Sequence, residues 1–483
     1  MNYAAIIHIS GQIMRLEAIC LMVPCITSLV YREEAGFAYF FVAAMSLLLG
    51  QLFCRKTKDV RAKFFAREGF LMVGLCWVIL SALGALPFVL CGDIPNYIDA
   101  FFETVSGFTT TGSSILTDVE ALTHTSLMWR SFTHWVGGMG VFVLLLTVLP
   151  GKGGYSIHLM KAESTGASVG KLVPRIGDTA KILYTIYFTL TVIELIVLLL
   201  LKMPLFDALC TTFGTAGTGG FGIKADSMAS YSHAIQYAVT FFLILFGVNF
   251  NAYFFVLGKD KLQGLRLEEV RGYLGIIAAA VLLIMIDIRH EAEVKSIADA
   301  FRLSAFQVAS IITTAGFATT DFDLWPTFSK MILVLLMFIG GCAGSTAGGI
   351  KVSRIIMMVK SSALELVRYI HPRSVSSVKM DGKAVDQETI TGVRVYLSTF
   401  MLIFALSLLL VALDGQNLVG TTTAVITTLN NVGPGLDFVG PAGSFAQFSG
   451  FSKLVLSFDM LAGRLELYPM LMLVMPFAWR SSR

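Results

Sequence analysis

Apolar residues in this chain are grouped into blocks of two lengths, separated by short polar or glycine-rich links. A long block has about 20 residues, enough for a helix to cross the roughly 30 Å hydrocarbon layer of a membrane. A short block has 10 to 12 residues and cannot cross. After long blocks at 3–30 and 36–54 and a basic link at 55–67, one order recurs four times: long block, short block, glycine-containing loop, long block. The long blocks of the four copies are 69–90, 129–149, 180–201, 234–257, 271–288, 329–359, 392–413 and 453–475, and the short blocks are 99–108, 206–216, 303–312 and 418–429.

The four copies are predicted to share one orientation in the membrane. Each contains two spans and one segment that enters and leaves on the same side, so every copy starts on the same face. Copies of this kind can surround one axis along the membrane normal, as parallel repeats do. We therefore predict an all-α integral membrane protein with ten transmembrane helices and four re-entrant pore helices, arranged as four parallel helix–pore loop–helix repeats around one central pore. The predicted boundaries are 1–67 for the two N-terminal helices and their basic link, 68–179 for repeat 1, 180–270 for repeat 2, 271–391 for repeat 3 and 392–483 for repeat 4.

Positive charge is distributed very unevenly between the two sides of this topology. The links between repeats carry 23 Lys and Arg residues, whereas the segments around the glycine loops carry four. Because Lys and Arg concentrate on the cytoplasmic side of membrane proteins, the glycine loops are predicted to enter from outside and the N-terminus to be cytoplasmic. The chain is thus expected in the cell inner (plasma) membrane. The basic links are 55–67, 151–181, 258–271 and 351–394, and the glycine-loop segments are 91–128, 203–232, 289–328 and 414–452.

Composition agrees with a membrane protein and excludes several other classes. Of 483 residues, 55% are hydrophobic and 14% are charged, and the mean hydropathy is +0.75. A soluble domain would carry about 25% charged residues. The formal charge of +4 gives no support for a nucleic-acid partner. The seven cysteines form no C-x-x-C pair, and the histidines show no H-x-x-x-H spacing, so no metal site or other cofactor is expected in this chain.

The four glycine loops are the candidate ion-binding site. Their final glycines lie 108, 96 and 117 residues apart. Non-helical backbone at membrane depth must be buried or line a wet cavity, and glycine lets successive carbonyls turn toward one axis. Such a carbonyl ring can replace the water shell of a monovalent cation, and the negative C-terminal ends of four short helices would favour a cation further. The candidate filter residues are Thr110, Thr111, Gly112, Thr218, Gly219, Gly220, Thr314, Ala315, Gly316, Asn431, Val432 and Gly433.

Motifs around these loops carry a family resemblance over essentially the whole chain. They are DAFFE at 99–103 with TTTG at 109–112, FDA at 206–208 with GGF at 219–221, TTAGF at 313–317, GGCAGSTAGGIK at 340–351, TLNNVGPGL at 428–436 and MLAGRLE at 460–466. Together they resemble the Trk/Ktr/HKT superfamily of potassium transporters, most of all the bacterial Trk-type membrane subunit.

The resemblance implies specific functions and partners. In that family the four loops form the selectivity filter, and a glycine in all four goes with a preference for potassium, here as the transported ion. The resemblance also implies a homodimer surrounded by membrane lipid and a cytoplasmic nucleotide-binding regulatory subunit, for which the basic links at 151–181 and 351–394 are a possible docking surface. The second loop has a glycine-rich lead-in and the fourth has asparagines, so the four-fold symmetry is approximate.

A glycine-rich segment, residues 340–351, interrupts the final span of repeat 3 about 25 residues after the third filter glycine. One interpretation is close helix packing through small residues. The other, which the family resemblance supports, is an unwound loop that blocks the conduction path below the filter and moves on gating. The candidate gate residues are Gly344, Ser345, Thr346, Ala347, Gly348, Gly349, Lys351 and Arg464.

Arg464 lies near the middle of the last span, where a charge is costly and usually faces a cavity or a polar partner. It could snorkel or pair with Glu466 or Asp459. The favoured hypothesis is that Arg464 donates hydrogen bonds to carbonyls of residues 344–349 and holds them in the pore. For Lys351, a plain positive-inside role and a gating role both remain open.

These features predict potassium uptake through a channel-like pore. The alternative is a symporter coupled to H⁺ or Na⁺ that works by alternating access, which should show inverted repeats and acids at broken helices. An intramembrane enzyme would need a nucleophile with its base, or a metal site, at membrane depth, and the sequence has neither. Acids near the loops, among them Asp93, Asp99 and Glu103, are either ordinary solvated charges or a vestibule that concentrates cations.

Overall fold

The protein is almost entirely helical wherever its structure, a computed structural model, describes it. The exception is one antiparallel hairpin, in which Lys379–Met380 pairs with Lys383–Ala384. Residues 142–149 of the second long block of repeat 1 and parts of all four basic links lie outside the described residues. The described residues are 3–57, 66–141, 176–257, 263–289, 294, 296–372 and 377–479.

The helices begin and end near the predicted first long blocks and short blocks, whereas the second long block of each repeat is interrupted. Short 3-10 turns at Phe322–Leu324, Ala412–Asp414, Asp437–Val439 and Phe445–Gln447 connect some of them. The helices are Tyr3–Cys20, Met22–Tyr31, Ala35–Lys56, Ala66–Cys91, Tyr97–Phe108, His124–Gly138, Ile176–Leu200, Leu205–Gly217, His233–Phe246, Phe250–Leu257, Gln263–Arg266, Glu268–Ile288, Ile297–Ile312, Thr327–Ile339, Val352–Ile370, Gln387–Val411, Leu418–Asn430, Gly450–Arg464, Tyr468–Val474 and Pro476–Trp479.

Within the described residues, six helical stretches are long and apolar enough to cross a membrane, judged by length and composition. Each coincides with a long block found in the sequence, so the prediction of a helical protein with many apolar spans is confirmed. The N-terminal two lie side by side through Gly11 and Gly50, whose missing side chains allow close backbone approach. The six are Tyr3–Tyr31, Ala35–Lys56, Arg67–Cys91, Lys181–Leu200, Glu268–Ile288 and Gln387–Asp414.

The second long block of each repeat is not one continuous helix. A break was expected only in repeat 3, but the structure has one in every repeat. Backbone conformations that a helix cannot contain end the helical runs, such as φ of 92° at Gly140 and 68° at Leu467. The helices before the breaks are His124–Gly138, His233–Phe246, Thr327–Ile339 and Gly450–Arg464, and those after them in repeats 2 to 4 are Phe250–Leu257, Val352–Ile370 and Tyr468–Val474.

Four short helices occupy the interior, where the sequence predicted them. They have 12 to 16 residues, so at 1.5 Å per residue they are about 18 to 24 Å long, less than the membrane core. Side chains of Asn96, Ser296 and Asn417 cap three of them by accepting hydrogen bonds from backbone N–H groups of the first turn. The short helices are Tyr97–Phe108, Leu205–Gly217, Ile297–Ile312 and Leu418–Asn430.

Candidate ion-binding ring and the segment beneath it

All four short helices lead into the same three-residue backbone conformation, which we call a triplet. Its first residue is left-handed, its second is not, and its third is a glycine with positive φ. Only glycine adopts that third conformation without strain, which explains why every loop ends on one. The first residues are Thr110, Thr218, Thr314 and Asn431, with φ between 54° and 58°, and the glycines are Gly112, Gly220, Gly316 and Gly433, with φ between 74° and 101°.

The triplets contact one another in a closed ring. In each case the final glycine lies against the carbonyl oxygen of the middle residue of the next triplet, so closely that a Cβ atom would overlap it. The fourth triplet completes the ring by meeting the first. The facing pairs are Gly112 with Gly219, Gly220 with Ala315, Gly316 with Val432, and Gly433 with Thr111.

This ring lies between the ends of the four short helices and an open cavity. The helices end at Phe108, Gly217, Ile312 and Asn430, immediately before or within the triplets, so their partial negative charges surround the ring. On the predicted external side, a cavity of about 210 Å³ is lined by all four triplet glycines. The arrangement places backbone oxygen and negative helix ends around one opening, which suits a cation without its water shell.

Asn431 shows why the fourth triplet departs from threonine. Its side-chain amide donates to Thr111 Oγ1 at 3.0 Å and to the Met460 carbonyl at 2.8 Å. Nearby, Ser113 Oγ donates to the Gly433 carbonyl at 3.1 Å. The asparagine therefore links the fourth triplet to the first, a contact that a threonine would be too short to make in both directions.

Two of the acids near the outer cavity, Asp99 and Glu103, are paired with basic side chains. Asp99 accepts from Lys453 at 2.6 Å, and Glu103 forms a buried ion pair with Arg130 at 2.8 Å. Among the described residues, the charged side chains that line the cavity are Arg130 and Lys224, both basic. Asp99 and Glu103 are therefore neutralised by Lys453 and Arg130 and are not free vestibule charges.

The glycine-rich segment, residues 340–351, is unwound as expected and lies against the third and fourth triplets. The Gly348 N–H donates to Thr314 Oγ1 at 2.6 Å, and the Gly349 N–H donates to the Asn430 carbonyl at 3.0 Å. Positive φ angles at Gly340, Gly344, Gly349 and Lys351 keep it from forming a helix. The hydrogen bonds of Gly348 and Gly349 fix the segment to the third triplet and to the end of the fourth short helix.

Arg464 is buried and contacts this segment. Its Nη1 donates to the Thr346 carbonyl at 2.7 Å, and its Nη2 donates to the Gly137 carbonyl at 2.6 Å. Of the two acids considered as alternatives, Asp459 accepts from Ser407 and Glu466 pairs with Arg354. The guanidinium thus bridges the glycine-rich segment and the helix break of repeat 1.

Lys351 is also buried rather than at an exposed cytoplasmic end. Its relative exposure is 1%, and its Nζ donates to the Ala347 carbonyl within the same segment. Ser345 Oγ donates to the Cys342 carbonyl at 2.6 Å, and Thr346 Oγ1 donates to the Phe246 carbonyl at 3.3 Å. These contacts make the segment a folded loop with its own internal hydrogen bonds.

Glu269 is a contact of the segment that the sequence did not reveal. Its Oε1 accepts from the Ala343 N–H at 2.6 Å and from the Ser353 N–H at 3.2 Å, and its Oε2 accepts from Asn249 at 3.4 Å. One carboxylate therefore links the segment to the first turn of the helix Val352–Ile370 that follows it. The available sequence signal was an acid in the first turn of an apolar span. Two adjacent acids, Glu268 and Glu269, are equally typical of solvated charges at a helix start.

Comparisons with known proteins place the whole chain in one family. Residues 35–278 and 273–480 match the family model TrkH, described as cation transport protein. The chain is 36% identical to the Trk system potassium uptake protein TrkH of Salmonella typhimurium and 35% identical to that of Escherichia coli K12, covering 100% of each chain. It also resembles the crystal structure of the potassium transporter TrkH from Vibrio parahaemolyticus, with a TM-score of 0.89, 34% identity and coverage of 99% of this chain and 100% of that one.

Proposed function

The chain belongs to the TrkH family of cation transport proteins, and on that basis we propose that it is a potassium uptake pore of the cell inner membrane. The family is one of transporters rather than enzymes. The observation that carries the proposal is the closed ring of four triplets, in which every glycine meets a neighbouring backbone carbonyl. Potassium itself follows from the relatives, which are named as potassium uptake proteins.

In the proposed mechanism, the ion loses its water at the triplets. Carbonyl oxygens of the four loops replace the hydration shell, and the C-terminal ends of the short helices offset the cost of holding a positive charge there. The ion then meets the glycine-rich segment, which acts as the barrier. Arg464 holds the segment through Thr346 and adds a positive charge that opposes cation passage.

The electrochemical gradient would drive uptake. With a negative interior, one elementary charge gains about 2.3 kcal/mol per 100 mV on crossing. We further propose the topology predicted from the basic links: ten spans when the interrupted helices are counted, four re-entrant short helices and a cytoplasmic N-terminus. A homodimer and a nucleotide-binding regulatory subunit on the basic side complete the proposed assembly.

The test is the flux of K⁺, Rb⁺ and Na⁺ into liposomes, comparing wild type with Gly112→Ser. A side chain at this position meets the Gly219 carbonyl, so the ring should distort and the K⁺/Na⁺ ratio should fall by roughly tenfold or more, the equivalent of about 1.4 kcal/mol. Gly275→Ser is the matched control, because no atom lies within 4 Å of a Cβ built there.

A wild-type K⁺/Na⁺ ratio in Gly112→Ser would contradict the filter assignment. Potassium uptake that stops when a proton or sodium gradient is collapsed, at constant membrane potential, would instead favour the coupled symporter.

A further inference from the structure

One buried histidine joins the first and second triplets. His134, on helix His124–Gly138, has a ring nitrogen Nδ1 that lies 2.8 Å from the Gly107 carbonyl, and its Nε2 accepts from the Phe221 N–H at 3.2 Å. Because a carbonyl only accepts and an amide N–H only donates, the ring is neutral and carries its proton on Nδ1. Gly107 belongs to the first short helix, whereas Phe221 directly follows the glycine of the second triplet.

The same ring fills a space left by the second triplet. The middle residues of the other triplets, Thr111, Ala315 and Val432, have side chains, but the second has Gly219. A Cβ at Gly219 would overlap the imidazole of His134. The histidine therefore stands where the other triplets carry a side chain of their own, which accounts for the glycine at position 219.

Two side chains of the helix that carries His134 contact the Phe221 ring. The imidazole and the Phe221 ring have centroids 4.3 Å apart, and the guanidinium carbon of Arg130 lies 4.0 Å from the same ring centroid. Arg130 and His134 are four residues apart, so they share one face of the helix. Arg130 also donates to the Gly222 carbonyl at 3.3 Å and pairs with Glu103 of the first short helix.

We propose that His134 is a positioning residue for ion selectivity. Its imidazole sets the spacing between the first and second triplets from behind the ring of four triplets. It contacts backbone of both loops and does not need to touch the ion. The inference rests on the proposed role of the triplets as the filter. Loss of the imidazole removes the contact between the two loops and leaves the buried Phe221 N–H without its acceptor.

The first test compares His134→Leu with His134→Gln. Glutamine can donate to the Gly107 carbonyl and accept from the Phe221 N–H, whereas leucine fills similar volume without either bond. We expect the K⁺/Na⁺ ratio in liposomes to fall by roughly tenfold in His134→Leu and to stay within about threefold of wild type in His134→Gln. A leucine variant with the wild-type ratio, or a glutamine variant as impaired as the leucine one, would overturn the proposal.

The second test measures the coupling between His134 and Gly219, and it stands even if His134→Leu does not fold. Gly219→Ala should lower the K⁺/Na⁺ ratio in the wild-type background. In a chain that also carries His134→Ala, the imidazole is absent, so Gly219→Ala should lower the ratio no further. Gly392→Ala, with no atom within 4 Å of its Cβ, is the control. An equal effect of Gly219→Ala in both backgrounds would overturn the proposal.

These outcomes separate the two proposals. If Gly112→Ser changes the ratio while His134→Leu does not, the filter stands and the role of His134 fails. If Gly112→Ser leaves the ratio unchanged, the filter itself fails.

Discussion

The triplets and the glycine-rich segment are both unwound backbone inside the protein, yet they are built in opposite ways. The triplets occur four times with nearly the same φ angles and the same glycine-to-carbonyl contact. The segment occurs once, and its contacts come from distant side chains, including Thr314, Arg464 and Glu269. The first depends on repetition, the second on individual long-range contacts.

This difference fits the two roles proposed above, a filter and a movable barrier. A site that replaces a hydration shell needs oxygen atoms on all sides, and repeats supply them evenly. A barrier that opens needs one element with two arrangements, because packed elements switch between discrete states rather than deform smoothly. Backbone sterics are suited to the first demand, and polar side-chain contacts that can break are suited to the second. Variants in the two regions should therefore change different measured quantities.

The largest effect is expected in the ring. In Gly220→Ala the new Cβ meets the Ala315 carbonyl at a residue with φ of 74°. Strain of this kind costs roughly 1–3 kcal/mol per residue, so selective K⁺ uptake should fall by up to about 100-fold. The measurement is Rb⁺ and Na⁺ uptake in liposomes at matched protein content.

Gly275→Ala is the matched control, since it adds the same methyl group where nothing lies within 4 Å. If Gly220→Ala took up K⁺ with the rate and selectivity of wild type, the ring would not need the same glycine-to-carbonyl contact in all four triplets.

Arg464→Ala should have the next largest effect, in the opposite direction. It removes the hydrogen bond to the Thr346 carbonyl and the positive charge beneath the ring. Hydrogen bonds to charged groups are worth about 1.5–3 kcal/mol, so K⁺ uptake should rise by roughly tenfold or more while the K⁺/Na⁺ ratio stays unchanged. Radioactive Rb⁺ uptake measures the rate.

Arg271→Ala is the control, because Arg271 is an exposed arginine at the basic end of a span. A rise in uptake cannot come from misfolded protein, which makes the direction of the change informative. Normal uptake at matched expression would mean that Arg464 does not hold a gate.

Local features of this architecture could be predicted from the sequence because they are encoded locally. Block length gave three of the short helices to within two residues at each end and missed the first six residues of Ile297–Ile312. Only glycine suits the final position of each triplet. The contact of Arg464 with residues 344–349 was also expected, because a buried guanidinium needs several acceptors and unwound backbone supplies them.

The remaining features depend on pairs far apart in the chain. Leu467 has a φ of 68°, a conformation that its residue type does not favour, so the break of the last span could not be predicted. Arg464 reaches Gly137, which is 327 residues away. Glu269 and His134 carry no motif, and their roles are visible only once the backbone N–H and C=O groups that they bind are in place.

The smallest effect is expected for Glu269→Gln. This variant tests the contacts of the segment with Glu269 rather than with Arg464. Glutamine keeps an oxygen for the Ala343 N–H but loses the negative charge that serves Ala343 and Ser353 together. The difference between charged and neutral hydrogen bonds is about 1 kcal/mol, so uptake should rise by no more than about fivefold, again without a change in selectivity. Glu388→Gln, at an exposed position at the start of a span, is the control. A changed K⁺/Na⁺ ratio with unchanged uptake would break the division between the two regions, because it would mean that contacts of the segment shape the ring as well as the barrier.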